Sequence, residues 1–280
     1  MGHPPHRHRA ALPLPFSIMI PTTPPPSSFS ADVIDLSGRT VLVTGAGSGI
    51  GKACAIAFAA AGAAVHVVDK DAESAEAVAA EIGGRAHIAD LADSAAIERL
   101  PAEADILVNN AGFQHVAPLT AFPPERFTLM QQVMVTAPFL LLRRTLPYMY
   151  ANGWGRVVNI SSVHGRRASA YKAAYVAAKH ALEGLSKVTA MEGAEHGVTS
   201  NCINPGYVRT PLVEKQIRDQ AAAHGIDPAD VLNDVLLARS PIKRLLEPEE
   251  VAAAALWLCS PHAGYVNGAS VPLDGGWGAG

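Results

Sequence analysis

Cysteine, aromatic residues and net charge are all scarce in this 280-residue sequence. Its three cysteines, Cys54, Cys202 and Cys259, lie far apart, which excludes a disulfide framework and a cysteine metal cluster and favours a reducing cytoplasm. The formal net charge of −3 provides no basic surface for nucleic acid. No apolar run reaches the length of a membrane span. Because 49% of the residues are hydrophobic, the chain can bury a sizeable core.

The first 33 residues differ from the rest in composition. They are rich in proline, which prevents helices and central strands, so we predict a disordered tail over residues 1–33. Three histidines there, His3, His6 and His8, leave open a metal site, and Met19 is an alternative initiator. One domain is expected over residues 34–280.

From Thr40 onwards, short β-branched runs alternate with alanine-rich stretches typical of helices. Such alternation predicts right-handed βαβ units and a doubly wound parallel sheet of the Rossmann type, an α/β fold. The predicted strands are Thr40–Thr44, Ala64–Val68, Arg85–Ala89, Ile106–Asn109, Arg156–Ile160, Thr199–Ile203 and Ser270–Leu273. Helices are expected from about Ser48, over Asp71–Ile82 and Phe127–Leu146, and from Tyr171 to about His196.

The alternation stops between Val208 and Pro248. This segment looks like two short helices inserted before the last βα unit. Insertions at the carboxyl edge of a sheet commonly cover a bound substrate, so we predict a lid at about 208–246.

A glycine-rich stretch follows the first predicted strand. It reads TGAGSGIG, and its Gly45, Gly47, Ser48, Gly49, Ile50 and Gly51 are candidate cofactor residues. Glycines let the backbone turn sharply and approach a pyrophosphate, and the helix that follows presents free N–H groups to it. The stretch lies between a strand and a helix, which favours a dinucleotide site over a plain tight turn.

Asp69 closes the second predicted strand. A carboxylate there can accept hydrogen bonds from the ribose hydroxyls and repels a 2′-phosphate, which favours NAD over NADP. The neighbouring Lys70 weakens this preference. The alternative is a solvated aspartate at a strand end.

Tyr175 and Lys179 are four residues apart in a predicted helix, so they share one face. A free tyrosine has a pKa of roughly 10, and a nearby ammonium group lowers it towards the range of a useful base. Ser162 follows the fifth predicted strand, at the edge where ligands bind in such sheets. The three side chains predict proton transfer at a hydroxyl or carbonyl group, with the serine holding the oxygen.

These features together resemble the short-chain dehydrogenase/reductase family over nearly all of Leu36–Trp277. The matching pieces are TGAGSGIG (44–51), Asp90-Leu91, NNAG (109–112), the serine of NISS (159–162), YVAAK (175–179) and NPGYVRT (204–210). The resemblance implies an oxidoreductase with a nicotinamide cofactor. It also implies a homotetramer, with the helix carrying Tyr175 in a subunit interface.

The resemblance extends to individual cofactor contacts. It implies that Asp90 and Leu91 flank the adenine and that Asn110 lines the cofactor path. The segment after Pro205, including Val208, would contact the nicotinamide amide.

Within the family the sequence is most similar to the D-3-hydroxybutyrate dehydrogenases. The similar pieces are NNAGFQHVAP (109–118), the stretch 161–188, RTPLVEKQI (209–217) and DGGW (274–277). The resemblance implies that Gln114, His164, Lys172 and Gln216 hold a small carboxylate and that Trp277 forms a wall at its methyl end. It predicts a small-molecule substrate, (R)-3-hydroxybutyrate, oxidised to acetoacetate with NAD.

Two positions depart from the family pattern. Met134 stands where the family usually has an asparagine that supports a proton-carrying water, a role that methionine cannot take. Tyr207 replaces the tryptophan usual in the hydroxybutyrate enzymes, and this smaller ring with a polar tip predicts a larger pocket or a changed substrate preference. The alternatives are therefore another 3-hydroxy acid, a sugar, a polyol or an acyl thioester as substrate, or a non-catalytic NAD-binding regulator.

Overall fold

A computed structural model describes residues 34–211, 213, 214, 217, 218, 221 and 226–279. Its centre is one sheet of seven parallel strands. The strands are β1 Thr40–Thr44, β2 Ala64–Asp69, β3 Arg85–Ile88, β4 Ile106–Asn109, β5 Gly155–Ile160, β6 Val198–Pro205 and β7 Ser270–Leu273. The predicted tail lies outside the described residues.

The strand order is β3-β2-β1-β4-β5-β6-β7. The chain therefore winds outwards from β1 in one direction and, from β4, in the other, which confirms the doubly wound fold. In register, Val43 of β1 pairs with Val67 of β2 on one side and Val108 of β4 on the other. Because loops leaving β1 and β4 diverge, a crevice opens at the carboxyl ends of these two strands.

Helices cover both faces of the sheet. They are α1 Gly49–Ala60, α2 Ala72–Ile82, α3 Ser94–Ile97, α4 Pro124–Gln131, α5 Ala137–Ala151, α6 Ala173–Gly193 and α7 Pro248–Leu258. A π-helical turn, Gln132–Thr136, joins α4 to α5. Among the described residues, every helix falls short of the length or apolarity that a membrane crossing needs.

Side-chain alternation along the strands divides the core into two layers. Val41 and Val43 point to the layer covered by α1, α2 and α7, whereas Leu42 points to the layer covered by α5. Both layers are buried because helices lie on both faces, which explains the apolar runs of β1, β2 and β4. Cys54 and Cys259 lie in the first layer, and all three cysteines are buried free thiols.

Several predicted boundaries need correction. The predicted helix Phe127–Leu146 runs from Pro124 to Ala151 and contains the π-helical turn. The helix predicted to start at Tyr171 starts at Ala173, because Tyr171 has a left-handed φ of 67° that no helix can contain.

The predicted lid is described only in part. Its second helical piece comprises Pro228–Asp230 and the π-helical Val231–Leu236. Asp227 begins it, accepting the backbone N–H of Ala229 on its carboxylate. The first helical piece, which includes Gln216, lies largely outside the described residues.

Candidate active site

The glycine-rich loop joins β1 to α1 and is braced by Asn110. The side-chain amide of Asn110 donates to the carbonyl oxygens of Thr44, at 2.9 Å, and Gly45, at 3.1 Å. Thr44 Oγ1 in turn accepts the backbone N–H of Asn110 at 3.0 Å. The loop is thereby fixed to the carboxyl end of β4. Its Gly45 has a φ of 61°, a left-handed conformation that favours glycine.

The loop also requires glycine because its neighbours leave no space. A Cβ on Gly51 would overlap the carbonyl oxygen of Gly45 and lie 2.5 Å from the amide nitrogen of Asn110. A Cβ on Gly47 would press on Ser74 and lie 3.0 Å from the carboxylate of Asp69. Gly47 and Gly51 are therefore required by the packing of the loop against the rest of the protein.

A cleft of about 600 Å³ lies against this loop and runs along the carboxyl edge of the sheet. All but two of the predicted cofactor residues line it. The predicted cofactor residues that line the cleft are Gly45, Ser48, Gly49, Ile50, Asp69, Asp90, Leu91, Asn110, Tyr175, Lys179 and Val208. Gly47 and Gly51 are the exceptions, since they pack behind the loop. The glycine backbone and the acidic end of β2 fit a dinucleotide.

Asp69 is held by the loop that it faces. Its Oδ2 accepts the backbone N–H of Gly47 at 2.9 Å, and its Oδ1 accepts that of Asp71 at 3.1 Å. Each carboxylate oxygen retains a free lone pair for a further donor. Lys70 also lines the cleft, so a cation and an anion lie together at this end.

Ser162, Tyr175 and Lys179 line the same cleft. Ser162 follows β5 and starts a short 3-10 turn, Val163–Gly165, whose His164 N–H donates to its Oγ at 3.2 Å. Lys179 Nζ donates to the carbonyl oxygen of Ile160 at 2.7 Å. It also lies 5.5 Å from the centre of the Tyr175 ring. The predicted trio is therefore brought together by β5 and α6.

Burial has the largest effect on the pKa values of Lys179 and Tyr175. It lowers the pKa of Lys179 to about 8, against the opposing effect of Cys202 and Glu183. It raises the pKa of Tyr175, although a hydrogen bond with Ser162 acts in the other direction. A nearby ammonium group favours the phenolate in general, but burial is the largest influence on the pKa of Tyr175 in this structure.

Among the residues predicted to contact the substrate, Lys172, His164 and Trp277 meet, together with Tyr207. Lys172 Nζ donates to the hydroxyl oxygen of Tyr207 at 3.3 Å. Tyr207 stacks on Trp277 with ring centres 6.1 Å apart, and Trp277 meets His164 edge-on at 5.6 Å. His164 also approaches Tyr175, at 6.0 Å between ring centres. Lys172 is thus linked to the catalytic trio through a continuous aromatic wall.

His164 is neutral near pH 7. Burial lowers its pKa to about 4, and the positive charges of Lys172 and Arg239 add to that effect. Its two ring nitrogens lie 3.3 Å from Ser162 Oγ and 2.9 Å from Ser169 Oγ. It can therefore give one hydrogen bond and accept another, without placing a charge beside Ser162.

Gln114 and Gln216 are the remaining residues predicted to hold the carboxylate. The side-chain oxygen of Gln114 accepts the backbone N–H of its neighbour His115 at 3.1 Å. Gln216 lies outside the described residues. The loop carrying Gln114 does reach the site, since Ala117 N–H donates to the carbonyl oxygen of Tyr171 at 3.0 Å.

Met134 occupies the π-helical turn and is buried. It packs with Met130, Ala174 and Ala178 in an apolar cluster beside Tyr175. No proton can pass through this side chain.

Sequence reasoning missed two charged residues of the site. Arg239 belongs to the predicted lid, and its charge acts on His164 and Tyr207. Glu183 is buried on α6, one turn beyond Lys179. The helical spacing of Tyr175, Lys179 and Glu183 was the available signal, since a charged residue on a buried helix face is uncommon.

Comparison with known proteins agrees with this geometry. The family described as Enoyl-(Acyl carrier protein) reductase matches residues 45–278. A solved structure named short chain dehydrogenase/reductase family protein is 34% identical, with a TM-score of 0.79, and the match covers 88% of this chain and 100% of that one. This chain belongs to the short-chain dehydrogenase/reductase family. It is accordingly an oxidoreductase that uses a nicotinamide cofactor.

Three relatives within the short-chain dehydrogenase/reductase family illustrate the range of likeness. The D-beta-hydroxybutyrate dehydrogenase of Cupriavidus necator is 45% identical over 254 residues, 86% of this chain and 98% of that protein. The enzyme of the same name from Rhizobium meliloti is 49% identical over 174 residues, 62% of this chain and 67% of that protein. L-Sorbose reductase from Gluconobacter frateurii, solved with NADPH and L-sorbose, is 30% identical with a TM-score of 0.82, covering 89% and 100% of the two chains.

Proposed function

We propose that this short-chain dehydrogenase/reductase interconverts (R)-3-hydroxybutyrate and acetoacetate with NAD. The observation that carries the proposal is the buried ammonium group of Lys172, joined through Tyr207, Trp277 and His164 to the Ser162–Tyr175 pair. A cation connected to the Ser162–Tyr175 pair by these contacts suits a substrate with a carboxylate close to its alcohol. The names of the relatives from Cupriavidus necator and Rhizobium meliloti support the same substrate.

The residues perform the proton chemistry of the reaction. When bound, the nicotinamide ring takes or gives the hydride. In oxidation, Tyr175 accepts the proton of the substrate hydroxyl, while Ser162 Oγ donates a hydrogen bond to the same oxygen. The ammonium group of Lys179 stabilises the phenolate of Tyr175. Neutral His164 supports Ser162, and Lys172 holds the substrate carboxylate.

Replacing Tyr175 by Phe tests the proposed catalysis. The change removes the proton-accepting oxygen and leaves the ring, so we expect turnover of (R)-3-hydroxybutyrate to fall by about 10²–10⁴-fold. NADH binding, measured by fluorescence titration, should stay within about twofold of wild type. Tyr171→Phe is the matched control, because Tyr171 is exposed and its change should leave turnover intact. Turnover retained by Tyr175→Phe would contradict the proposal.

The preference for NAD rests on Asp69. Its carboxylate faces the cleft and would repel a 2′-phosphate, although Lys70 beside it reduces that repulsion. The solved relative L-sorbose reductase contains NADPH, so the preference must be tested in this chain. We expect wild type to favour NAD, and Asp69→Asn to lower kcat/KM for NAD by about 10–100-fold, since a hydrogen bond to a charged group contributes about 1.5–3 kcal/mol.

The same substitution should leave or improve the use of NADP, because it removes a negative charge. The ratio of kcat/KM for the two cofactors in wild type and variant is the measurement. An unchanged ratio would show that Asp69 does not select the cofactor.

A sugar or polyol is the second candidate substrate. It is favoured by the likeness to L-sorbose reductase and by Tyr207, whose ring is smaller and more polar than the expected tryptophan. Paired assays of (R)- and (S)-3-hydroxybutyrate beside a sugar and polyol panel separate the candidates. Rapid turnover of the (R) acid alone supports the first candidate. Bound NADH with no turnover of any of them would favour a regulator. A homotetrameric state and a cytoplasmic location also stay predictions.

A further inference from the structure

Glu183 is a buried carboxylate directly beneath the catalytic trio. It lies on α6 four residues after Lys179 and eight after Tyr175, so all three share one helix face. Only 6% of it is exposed. A carboxylate is rarely buried this deeply unless hydrogen bonds and a counter-charge compensate for its lost hydration.

Hydrogen bonds to Glu183 come from two strands. Asn204 of β6 donates to its Oε1 at 2.5 Å, and Ser270 of β7 donates to its Oε2 at 2.5 Å. The same amide group of Asn204 also donates to the carbonyl oxygen of Ser162 at 2.9 Å. Glu183 is therefore connected to the backbone of Ser162 through a single side chain.

The segment that follows Ser162 is also built around Glu183. A Cβ on Gly165 would press on Ser161 Oγ and lie 2.9 Å from Glu183 Oε1. Gly165 thus allows the 3-10 turn carrying His164 to approach the carboxylate closely. The position of the turn and the position of Glu183 depend on each other.

Lys179 needs a counter-charge that its immediate surroundings do not provide. Its Nζ donates to the carbonyl oxygen of Ile160, and in the described ranges no carboxylate lies within ion-pair distance of it. Met134, on the other side of the site, is apolar. Glu183 is the carboxylate whose charge acts on Lys179.

In the part of the chain that the structure describes, the other titratable groups acting on Lys179, Tyr175 and His164 carry no negative charge at neutral pH. Cys202 of β6 faces both Lys179 and Glu183, and burial raises its pKa, so it stays a thiol. Tyr207 and neutral His164 lie near Tyr175. Beyond them lie the cations Lys172 and Arg239, together with His180. Glu183 is thus the anion that balances this group of cations.

We propose that Glu183 is a positioning residue of the active site, whose buried carboxylate keeps Lys179 charged and, through Asn204, holds Ser162 in place. It touches neither substrate nor cofactor. It acts through Lys179 and Ser162, and the inference rests on the proposed function of the Ser162–Tyr175–Lys179 trio.

Glu183→Gln tests the charge while preserving the shape. The amide can still accept from Asn204 and can donate to Ser270, so the hydrogen bonds persist. Removing one negative charge makes proton loss easier at both Lys179 and Tyr175. Both limbs of the profile of kcat/KM against pH should therefore move to lower pH, by about one unit.

Two control variants separate charge from structure. Glu183→Asp keeps the charge with a shorter side chain, so its profile should stay in place even where kcat falls. Ser270→Ala removes one hydrogen bond and no charge, and its profile should also stay in place. If Glu183→Gln is too unstable to assay, these two variants carry the test, and a shifted profile in either would overturn the proposal.

An equal loss of kcat at every pH in Glu183→Gln, with unshifted limbs, would overturn the proposal as well. Tyr175→Phe, measured in the same assay, distinguishes failure of the proposed function from failure of the proposed role of Glu183. Turnover by Tyr175→Phe rejects the proposed function. An inactive Tyr175→Phe with an unshifted Glu183→Gln profile rejects the role of Glu183 alone.

Discussion

A single methyl group at Gly51 should damage both stability and cofactor binding. The added Cβ would overlap the carbonyl oxygen of Gly45 and crowd the amide of Asn110, which holds that carbonyl at 3.1 Å. The carbonyl oxygen belongs to the backbone, and the amide nitrogen of Asn110 is held in place by its second hydrogen bond, to Thr44 at 2.9 Å. The overlap can therefore be removed only if the glycine-rich loop or the start of α1 moves.

The expected cost follows from three contributions. Overpacking a tight site costs about 1–3 kcal/mol, and losing the bond between Asn110 and Gly45 costs about 1 kcal/mol. The better helix propensity of alanine returns about 1 kcal/mol. The net loss of unfolding free energy is about 1–3 kcal/mol, which lowers Tm by roughly 2–12 °C in a domain of this size.

Cofactor affinity should fall together with stability, since Gly45 lines the cleft. A loop displacement that removes about 1.4 kcal/mol of binding raises the Kd for NADH tenfold. Fluorescence titration with NADH and a thermal melt measure the two effects on the same sample.

Gly264→Ala is the matched control for this variant. Gly264 has an ordinary φ of −60°, and a Cβ there would make only normal contacts, the nearest at 3.4 Å. We expect it to be neutral or to stabilise by about 0.4–1 kcal/mol through the unfolded chain. If Gly51→Ala matched this control in both Tm and Kd, the packing argument for the loop would be wrong.

Two further predictions concern charge. Arg239→Gln should raise KM for (R)-3-hydroxybutyrate by about 3–10-fold in low salt, because it removes a cation near Tyr207, and the increase should be smaller in high salt. Arg99→Gln is the matched control, since Arg99 does not line the cleft, and it should leave KM unaltered. Equal effects of the two substitutions on KM would contradict this prediction. Burial lowers the pKa of both His66 and His164 to about 4. Between pH 6.5 and about 4 the unfolded chain therefore binds more protons than the folded protein. The unfolding free energy should decrease as pH falls through that window. Urea unfolding at pH 7 and pH 5 measures the decrease, which His164→Gln should reduce; an identical decrease in that variant would count against the buried neutral histidine.

Local sequence patterns correctly predicted those features of the fold that depend only on residues close together in the chain. The bounds of β1 and β4 were predicted correctly, because apolar, β-branched runs bounded by turn residues mark buried strands without any knowledge of their neighbours. The bounds of β7, a half-buried edge strand, were also predicted correctly. The shared face of Tyr175 and Lys179 was predictable for the same reason, since helical spacing is local. The helix start was misjudged because the left-handed Tyr171 is anchored by Ala117, 54 residues earlier in the chain.

The sequence by itself thus determined the element order, the doubly wound sheet, the glycine-rich loop and the identities of the catalytic trio. Tertiary structure alone decided that Asn110 braces Gly45, that His164 and Trp277 meet, and that Glu183 reaches Ser162 through Asn204. These contacts join residues far apart in the chain. Helical and strand periodicity reveals which face of an element is buried, but which distant side chain meets that face depends on the packing of the complete fold.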